Sequence, residues 1–136
     1  KDIHVYGLDI NNEKELKKVL KQINLKSNSD FFDVIIDDGS HYLSDILFSL
    51  KALFRYVKKG GIYIIEDFKY PNYYEQNRNI EHILVDQVLK NLQEKRLFNS
   101  NIIKNDDQVY LQNNISKIAI YKGNLKDSDI CFVEKI

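Results

Sequence analysis

Two pairs of acidic residues and one histidine lie where two apolar segments of the sequence end. FFDVIIDD ends in Asp37 and Asp38, IYIIED ends in Glu66 and Asp67, and His41 follows the first pair by three residues. Three carboxylates close together repel one another unless a cation neutralises them. Oxygen ligands of this kind suit a hard divalent ion such as Mg²⁺. The residue types therefore predict a metal site made of Asp38, Glu66 and Asp67.

His41 is a candidate general base beside that metal site. Its imidazole follows Asp38 by three residues, and an unperturbed histidine titrates close to neutral pH. A position at the start of a predicted helix favours the neutral imidazole that a base requires. The letters DGSH also have an ordinary interpretation, in which Asp37 or Ser40 only caps the turn before a helix. Capping leaves the second acidic pair unexplained, so we favour the site.

Apolar patterns predict the elements that position these residues. Short apolar runs bounded by turn residues indicate buried strands, and apolar residues three or four positions apart indicate helices. Asn12, with Glu15 three residues later, predicts a helix N-terminus, and Gly60 with Gly61 predicts a helix C-terminus. In chain order we expect a strand at 3–10, a helix at 13–24, a strand at 31–37, a helix at 42–58, a strand at 62–67 and a helix at 80–97.

The alternation of strand and helix predicts a parallel α/β sheet with right-handed crossovers. Three later segments, QVYLQ, ISKIAIYKG and DICFVEKI, have a strand-like composition and should pair antiparallel at one edge. Ligands bind at the carboxyl ends of the strands in such sheets. All the acidic candidates fall at those ends: Asp9, Asp37, Asp38, Glu66 and Asp67.

The composition limits the classes of protein and partner. A chain of 136 residues forms a single domain, and its 20 basic residues balance 20 acidic ones. This balance argues against a nucleic-acid partner and against an anionic membrane. The single cysteine, Cys131, allows no internal disulfide and suits a reducing compartment, and we expect it to pack within an edge strand. No apolar run is long enough to cross a bilayer, so we expect a cytoplasmic protein.

The segment FFDVIIDDGSHYLSDILFSLKALFRYVKKGGIYIIEDF, residues 31–68, resembles the core of class I S-adenosylmethionine-dependent methyltransferases. It is most similar to the metal-dependent O-methyltransferases of macrolide sugars and to the related cephalosporin hydroxylase-like proteins. By motif position, the resemblance implies that Asp38, Glu66 and Asp67 bind Mg²⁺ and that His41 is the catalytic base. It also implies a Rossmann-like fold with three layers, mostly parallel, and antiparallel strands at one edge.

The resemblance also implies a site for S-adenosylmethionine, and it is fair over residues 3–20. YGLDINNEKEL aligns Asp9 with the contact to the cofactor's adenine, with the backbone N–H of Ile10 beside it, and Asp37 is the third expected cofactor residue. The glycine-rich loop and the first two strands of that fold have no counterpart in the sequence. We therefore expect residues 1–136 to be the C-terminal part of a Rossmann-like methyltransferase domain, inactive alone, whose activity belongs to a longer parent protein.

Together these features predict an S-adenosylmethionine- and Mg²⁺-dependent O-methyltransferase that acts on a sugar or another small hydroxylated acceptor. Mg²⁺ would hold two acceptor oxygens, and His41 would take the proton from the oxygen that attacks the methyl group. Two alternatives stay open: a metal-dependent hydrolase or lyase that uses the same carboxylates, and a non-catalytic interaction fragment. An exposed sheet edge, left by the missing strands, would also suit a homo-oligomer.

Overall fold

The computed structural model of the protein describes residues 3–27 and 31–136, without the side chains of residues 25–27. The helices in this part of the chain are α1 (Glu13–Ser27), α2 (Leu43–Leu53), α3 (Tyr70–Tyr73), α4 (Val85–Gln93) and α5 (Asn105–Asn114). The strands are β1 (Phe32–Asp37), β2 (Val57–Ile65), β3 (Ile115–Tyr121) and β4 (Ile130–Lys135). Two short 3₁₀ turns, Phe54–Tyr56 and Glu75–Asn77, follow α2 and α3.

The four strands form one mixed sheet in the order β1-β2-β4-β3. β1 and β2 are parallel, with Ile35 opposite Tyr63 and Asp37 opposite Ile65. β4 lies antiparallel between β2 and β3. The parallel crossover through α2 and the antiparallel pairing of the later strands confirm the predicted α/β fold.

The core lies on the face of the sheet that α2 and α4 cover. Tyr63 and Ile65 of β2 are fully buried there, as are Cys131 and Val133 of β4. Burial of one large apolar side chain stabilises a fold by roughly 1.5–3 kcal/mol, so this face anchors the sheet. Burial also raises the pKa of the Cys131 thiol to about 12, which makes it unreactive. Cys131 packs as predicted, but in an inner strand and not at an edge.

Residues 3–10 are not a strand, which corrects the prediction for that segment. They run irregularly, and Ile3 and Val5 are 93% and 89% exposed. A strand needs a neighbour for its backbone hydrogen bonds, and residues 3–10 pair with none of the described strands, including the edge strand β1. The predicted helix cap that follows is confirmed, because the N–H of Glu15 donates to the Asn12 side chain at 3.2 Å.

Helix α2 ends at Leu53, well before its predicted C-terminus. A short 3₁₀ turn follows, and β2 begins at Val57. Lys135 of β4 holds this turn, since its ammonium group donates to the carbonyls of Phe54, Arg55 and Val57 at 3.3, 3.0 and 2.8 Å. Carbonyls at a helix end need such donors. The end of α2 is therefore set by a residue distant in the sequence.

Gly60 and Gly61, predicted as a helix C-cap, lie inside β2. Gly60 has a φ of 73°, in the left-handed region that glycine tolerates. A Cβ on Gly61 would lie 2.7 Å from the carbonyl oxygen of Asp33 on β1. The two glycines therefore serve the irregular start of the β1–β2 pairing, where the register shifts between Phe32 and Val34.

Two further predictions fail in the second half of the chain. QVYLQ lies in α5 and is not a strand, and α4 is shorter than the helix predicted at 80–97. The buried face of α5 carries Gln108, Leu111 and Gln112. Two of these three residues are polar, and Gln108 satisfies its amide by donating to the carbonyl of Phe98 at 2.8 Å. Apolar periodicity therefore does not reveal this helix.

One face of β1, the edge strand, is open. Val34 and Ile36 are 49% and 59% exposed, so among the described helices none supplies a third layer over them. The exposed sheet edge expected from the sequence lies here. None of the described helices combines the length and the apolar character needed to cross a membrane.

Candidate metal centre

The carboxyl ends of β1 and β2 bring the two acidic pairs side by side. The N–H of Glu66 donates to the carbonyl of Asp37 at 3.0 Å, so the parallel pairing continues past the end of β2. Asp38 and Asp67 follow these two strands, at the same end of the sheet. Chain direction and register therefore place the predicted acids near one another.

Asp38, His41 and Asp67 form a cluster with the spacing of metal ligands. One potential ligand atom from each lies within 4.8 Å of the others. His41 Nε2 is 3.6 Å from Asp38 Oδ1 and 3.7 Å from Asp67 Oδ2. Glu66, predicted as a third metal ligand, is outside this group. The structure thus brings together two of the three predicted carboxylates with the predicted base.

Two residues of the cluster have a backbone conformation that ordinary residues avoid. His41 has a φ of 60° and Asp67 a φ of 50°. A residue other than glycine in this left-handed region costs on the order of 1–3 kcal/mol, and such residues concentrate at functional sites. Here both follow the ends of adjacent parallel strands. Asn79 and Lys95 have a positive φ outside the cluster, and Asp and His tolerate this region better than most residues, so the backbone conformation supports the site only together with the side-chain geometry.

The nitrogen at the centre of the cluster lacks the partner that a structural histidine would have. His41 Nε2 is buried from solvent and makes no hydrogen bond with the described residues. Its separations of 3.6 and 3.7 Å from the two carboxylates exceed hydrogen-bond length. Two carboxylates beside an unpartnered imidazole fit a hard divalent cation, with the carboxylate oxygens as ligands.

Asp45, which sequence analysis did not single out, organises the turn that carries His41. Its carboxylate accepts hydrogen bonds from the hydroxyls of Ser40 and Ser44 and from the amide of Asn11, the last at 2.9 Å. The contact from Asn11 ties the segment before α1 to the start of α2. The signal in the sequence is an acidic residue in the first turn of a helix, which is common in proteins.

Tyr70 and Asn77 also contact His41, and neither was predicted to do so. The Tyr70 ring lies against the His41 imidazole, with 5.1 Å between the ring centroids and 33° between the planes. The side-chain N–H of Asn77 donates to the His41 carbonyl at 3.2 Å. Both residues belong to a tyrosine-rich stretch whose position depends on tertiary packing.

A cleft of about 560 Å³ opens beside the cluster. Two of the predicted cofactor residues, Ile10 and Asp37, line it, and so does Asp38. Asp9, the third predicted cofactor residue, is exposed, and its carboxylate accepts a hydrogen bond from the N–H of Asn11 at 3.0 Å. Asp38 belongs both to the lining of the cleft and to the cluster of Asp38, His41 and Asp67, so the two sites are adjacent.

Asp37 is held in place inside this cleft. Its Oδ2 accepts a hydrogen bond from the Tyr63 hydroxyl at 3.0 Å. Burial raises the pKa of the Asp37 carboxyl, and the hydrogen bond from Tyr63 offsets part of that rise. The pKa of Tyr63 lies well above its usual range, because burial and the neighbouring carboxylate both disfavour the phenolate. Tyr63 therefore remains a hydrogen-bond donor and orients the Asp37 side chain.

Comparison with known proteins points to one group of enzymes. No protein-family model matches the chain. The demethylmacrocin O-methyltransferase of Streptomyces fradiae is 37% identical over 75 residues, covering 46% of this chain and 19% of the relative. The mycinamicin VI 2''-O-methyltransferase of Micromonospora griseorubida is 36% identical over 75 residues, again 46% of this chain and 19% of the relative.

Solved structures of the MycE methyltransferase have the same fold. Its complex with Mg, SAH and mycinamycin VI matches 96% of this chain at 26% identity, with a TM-score of 0.66. A second crystal form of its complex with Mg and SAH also matches 96% of this chain, at 25% identity and a TM-score of 0.63. The resemblance to macrolide-sugar O-methyltransferases is confirmed. The chain spans 19% of the length of these O-methyltransferases and 31% of the MycE chain.

Proposed function

We propose that the full-length protein is an S-adenosylmethionine- and Mg²⁺-dependent O-methyltransferase. The cluster of Asp38, His41 and Asp67 carries the proposal, because a carboxylate oxygen of each aspartate and a ring nitrogen of the proposed base His41 lie within 4.8 Å of one another beside two parallel strands. The matched MycE structures are complexes with Mg and SAH. A cluster that fits a metal ion, in the fold of those proteins, supports a methyl transfer that needs both metal and cofactor.

Asp38, Glu66 and Asp67 are the proposed Mg²⁺ ligands. The carboxylates of Asp38 and Asp67, which follow different strands, both lie near His41 Nε2. Glu66 directly precedes Asp67 at the end of β2. When bound, Mg²⁺ supplies the charge that holds and polarises the acceptor oxygens, and S-adenosylmethionine supplies the methyl group. Three carboxylates at the ends of two adjacent strands would otherwise repel one another.

His41 is the proposed general base. Its Nε2 takes the proton from the acceptor hydroxyl, because this nitrogen has no hydrogen bond and faces the two carboxylates. A positioned base raises a rate by roughly 10²–10⁴-fold. His41 then holds the proton while the acceptor oxygen reacts.

The cleft beside the cluster is the proposed site for the adenosyl part of the cofactor. Ile10 and Asp37 line it, and Asp9 precedes Ile10 on the same segment. Apolar walls from Leu8 and Ile36 suit the flat face of a base, and the Asp37 carboxylate offers hydrogen-bond acceptors. A volume of about 560 Å³ lies within the usual range for sites of small ligands.

The proposed acceptor is a sugar or another small molecule with adjacent hydroxyl groups. One metal ion can hold two such oxygens and so orient the one that reacts. The names of the relatives are those of O-methyltransferases for macrolide compounds, which supports this class of acceptor. The balanced charge argues against a nucleic-acid or anionic-membrane partner, and the single cysteine suits a reducing compartment such as the cytoplasm. The exposed apolar residues of β1 suit a homo-oligomer.

Binding and turnover of the full-length protein test the proposal. Calorimetry should detect binding of S-adenosylhomocysteine to the wild-type protein. It should also detect binding of Mg²⁺, and Asp38→Asn should weaken that binding. Transfer of a labelled methyl group to glycosylated acceptors should require Mg²⁺ and stop when a chelator is added. Metal-dependent cleavage of the acceptor without methyl transfer would instead identify a hydrolase or lyase. Absence of binding to S-adenosylhomocysteine would contradict the proposed function.

A further inference from the structure

The segment of residues 70–79, here called the tyrosine segment, packs against the turn that carries His41. Tyr70 contacts His41 through its ring and Asn77 contacts it through its amide, while the amide of Asn79 contacts Ser44 in the first turn of α2. Asn77 and His41 are 36 positions apart in the chain. The turn is therefore held by a distant segment as well as by its own residues.

Asn77 holds the backbone of His41. It is 9% exposed, and its Nδ2 donates to the His41 carbonyl at 3.2 Å. The φ of 60° at His41 is a conformation that persists only where the surrounding structure maintains it. Loss of the Asn77 amide would leave a carbonyl unpaired and allow the turn to relax.

Tyr70 restricts the side chain of His41. The two rings are 5.1 Å apart, and the Tyr70 ring in turn packs on Tyr74 with 4.2 Å between centroids. An imidazole against a ring that is itself supported has little freedom to rotate. The contact keeps His41 Nε2 facing the carboxylates of Asp38 and Asp67.

Asn79 fixes the first turn of α2, directly after His41. Its Nδ2 donates to the hydroxyl of Ser44 at 2.6 Å, and its Oδ1 accepts a long hydrogen bond of 3.4 Å from the Ser44 N–H. A side-chain acceptor for an N–H in the first turn stabilises a helix start. The tyrosine segment thus contacts His41 itself and the helix turn that follows it.

We propose that Tyr70 and Asn77 are positioning residues for His41. Asn77 maintains its left-handed backbone, and Tyr70 keeps its imidazole at the metal cluster. The inference rests on the proposed role of His41 as the base. Since neither residue belongs to the metal ligands, their loss should slow the proton transfer without weakening the binding of Mg²⁺ or acceptor. Misplacement of a reacting group by about 1 Å can cost roughly 10²-fold in rate, which sets the size of the effect.

Asn77→Leu, compared with Gln112→Met, tests the backbone contact in the full-length protein. Gln112 of α5 is a matched control, because it is also 9% exposed and donates to a carbonyl, that of Arg96, at 2.9 Å. Both variants remove one amide-to-carbonyl hydrogen bond and should lose similar stability. Only Asn77→Leu should lower kcat, by up to roughly 10²-fold, at unchanged KM for the acceptor and unchanged Kd for Mg²⁺. Equal kcat values in the two variants would contradict the proposal.

Tyr70→Leu and Tyr70→Phe test the ring contact. Tyr70→Leu removes the ring and should lower kcat, whereas Tyr70→Phe keeps the ring and should restore most of the lost rate. KM for the acceptor should stay the same in both. A loss of equal size in the two variants would overturn the assignment to the ring.

The imidazole of His41 provides a readout that does not depend on turnover. Its Cε1–H resonance, assigned by its disappearance in His41→Gln, should move downfield in Tyr70→Leu and stay in place in Gln112→Met. A resonance unaffected by Tyr70→Leu would contradict the positioning role, even in an active methyltransferase. A moved resonance in a protein that transfers no methyl group would support the ring contact with His41 and reject the proposed function of the site.

Discussion

Glu81 and the cluster of Asp38, His41 and Asp67 are two places where the fold gathers polar groups around carboxylates. Glu81 is 3% exposed, and the protein itself supplies its hydrogen bonds. The donors are the hydroxyl of Ser100 at 2.7 Å and the N–H groups of His82, Asn101 and Ile102 at 3.0, 2.9 and 3.2 Å. Burial raises the pKa of Glu81, but these hydrogen bonds lower it by more, so it lies below its ordinary value of 4.5.

The cluster of Asp38, His41 and Asp67 has the opposite hydrogen-bonding pattern. Its two carboxylates meet an imidazole nitrogen that makes no hydrogen bond, at 3.6 and 3.7 Å. Two of its three residues also have a positive φ, whereas Glu81 does not. The Glu81 carboxylate is buried and the chain supplies its hydrogen bonds, so it is structural, whereas the carboxylates of Asp38 and Asp67 are 61% and 39% exposed and are accessible to a ligand. Residue type alone does not separate the two.

The largest expected effect is on turnover, in His41→Ala. Loss of the base should lower kcat by roughly 10²–10⁴-fold in the full-length protein, because the acceptor hydroxyl then lacks a proton acceptor. Affinity for Mg²⁺ and for S-adenosylhomocysteine should stay nearly the same, since His41 is proposed as a base and not as a ligand. Glu81→Gln serves as the control, with kcat per folded molecule unchanged. Full activity in His41→Ala would show that His41 is not the base and only forms part of the turn before α2.

The next effect is the stabilisation that Mg²⁺ should give. A ligand at 100 times its Kd raises the free energy of unfolding by about 2.7 kcal/mol. Wild type and Glu81→Gln should both gain this stability in thermal unfolding with added Mg²⁺, and Asp38→Asn should not. An equal gain in Asp38→Asn would show that the ion binds elsewhere.

Glu81→Gln should lower the free energy of unfolding itself, by roughly 1.5–3 kcal/mol, because several donors lose a charged acceptor. Denaturant titration without metal measures this loss. Asp38→Asn should be nearly neutral in the same experiment, since it removes no hydrogen bond. If Asp38→Asn destabilised the fold as much as Glu81→Gln, the contrast between the two sites would fail.

The smallest effect is a dependence of stability on acid. The pKa of Glu81 is lower in the folded state than its ordinary value of 4.5, so its contribution is fully present above that pH. The contribution is lost as the pH falls through the lowered folded pKa. Unfolding free energies measured from neutral pH downward should therefore decline less steeply below about pH 4.5 in Glu81→Gln than in wild type. Parallel curves would contradict the shift.

The sequence was sufficient for the parts of the site that depend on local pattern. Asp38, His41 and Asp67 could be predicted because strand ends, a helix start and chain direction bring them together. Short apolar runs also identified β1 and β2. Residues 3–10 have the composition of a strand as well, but they pair with none of the described strands, and composition cannot reveal whether a segment joins a sheet.

Contacts over long sequence distances could not be predicted. Asn77 lies 36 positions from His41, and Lys135 lies 81 positions from the Phe54 carbonyl that helps end α2. The buried amides of α5 interrupt the apolar pattern of a helix and find their partners in a neighbouring loop. In each case the deciding interaction depends on the assembled fold.

Strand β2, which leads into Glu66 and Asp67, pairs with a strand that is synthesised late. Ile65 of β2 pairs with Cys131 of β4, and Lys135 closes the turn before β2. On the ribosome, β1, α2 and β2 therefore emerge long before the strand that completes their sheet, and distant pairings of this kind form slowly. Until β4 arrives, β2 presents an open edge that can pair with other nascent chains. Prematurely terminated chains should accordingly aggregate before they bind metal.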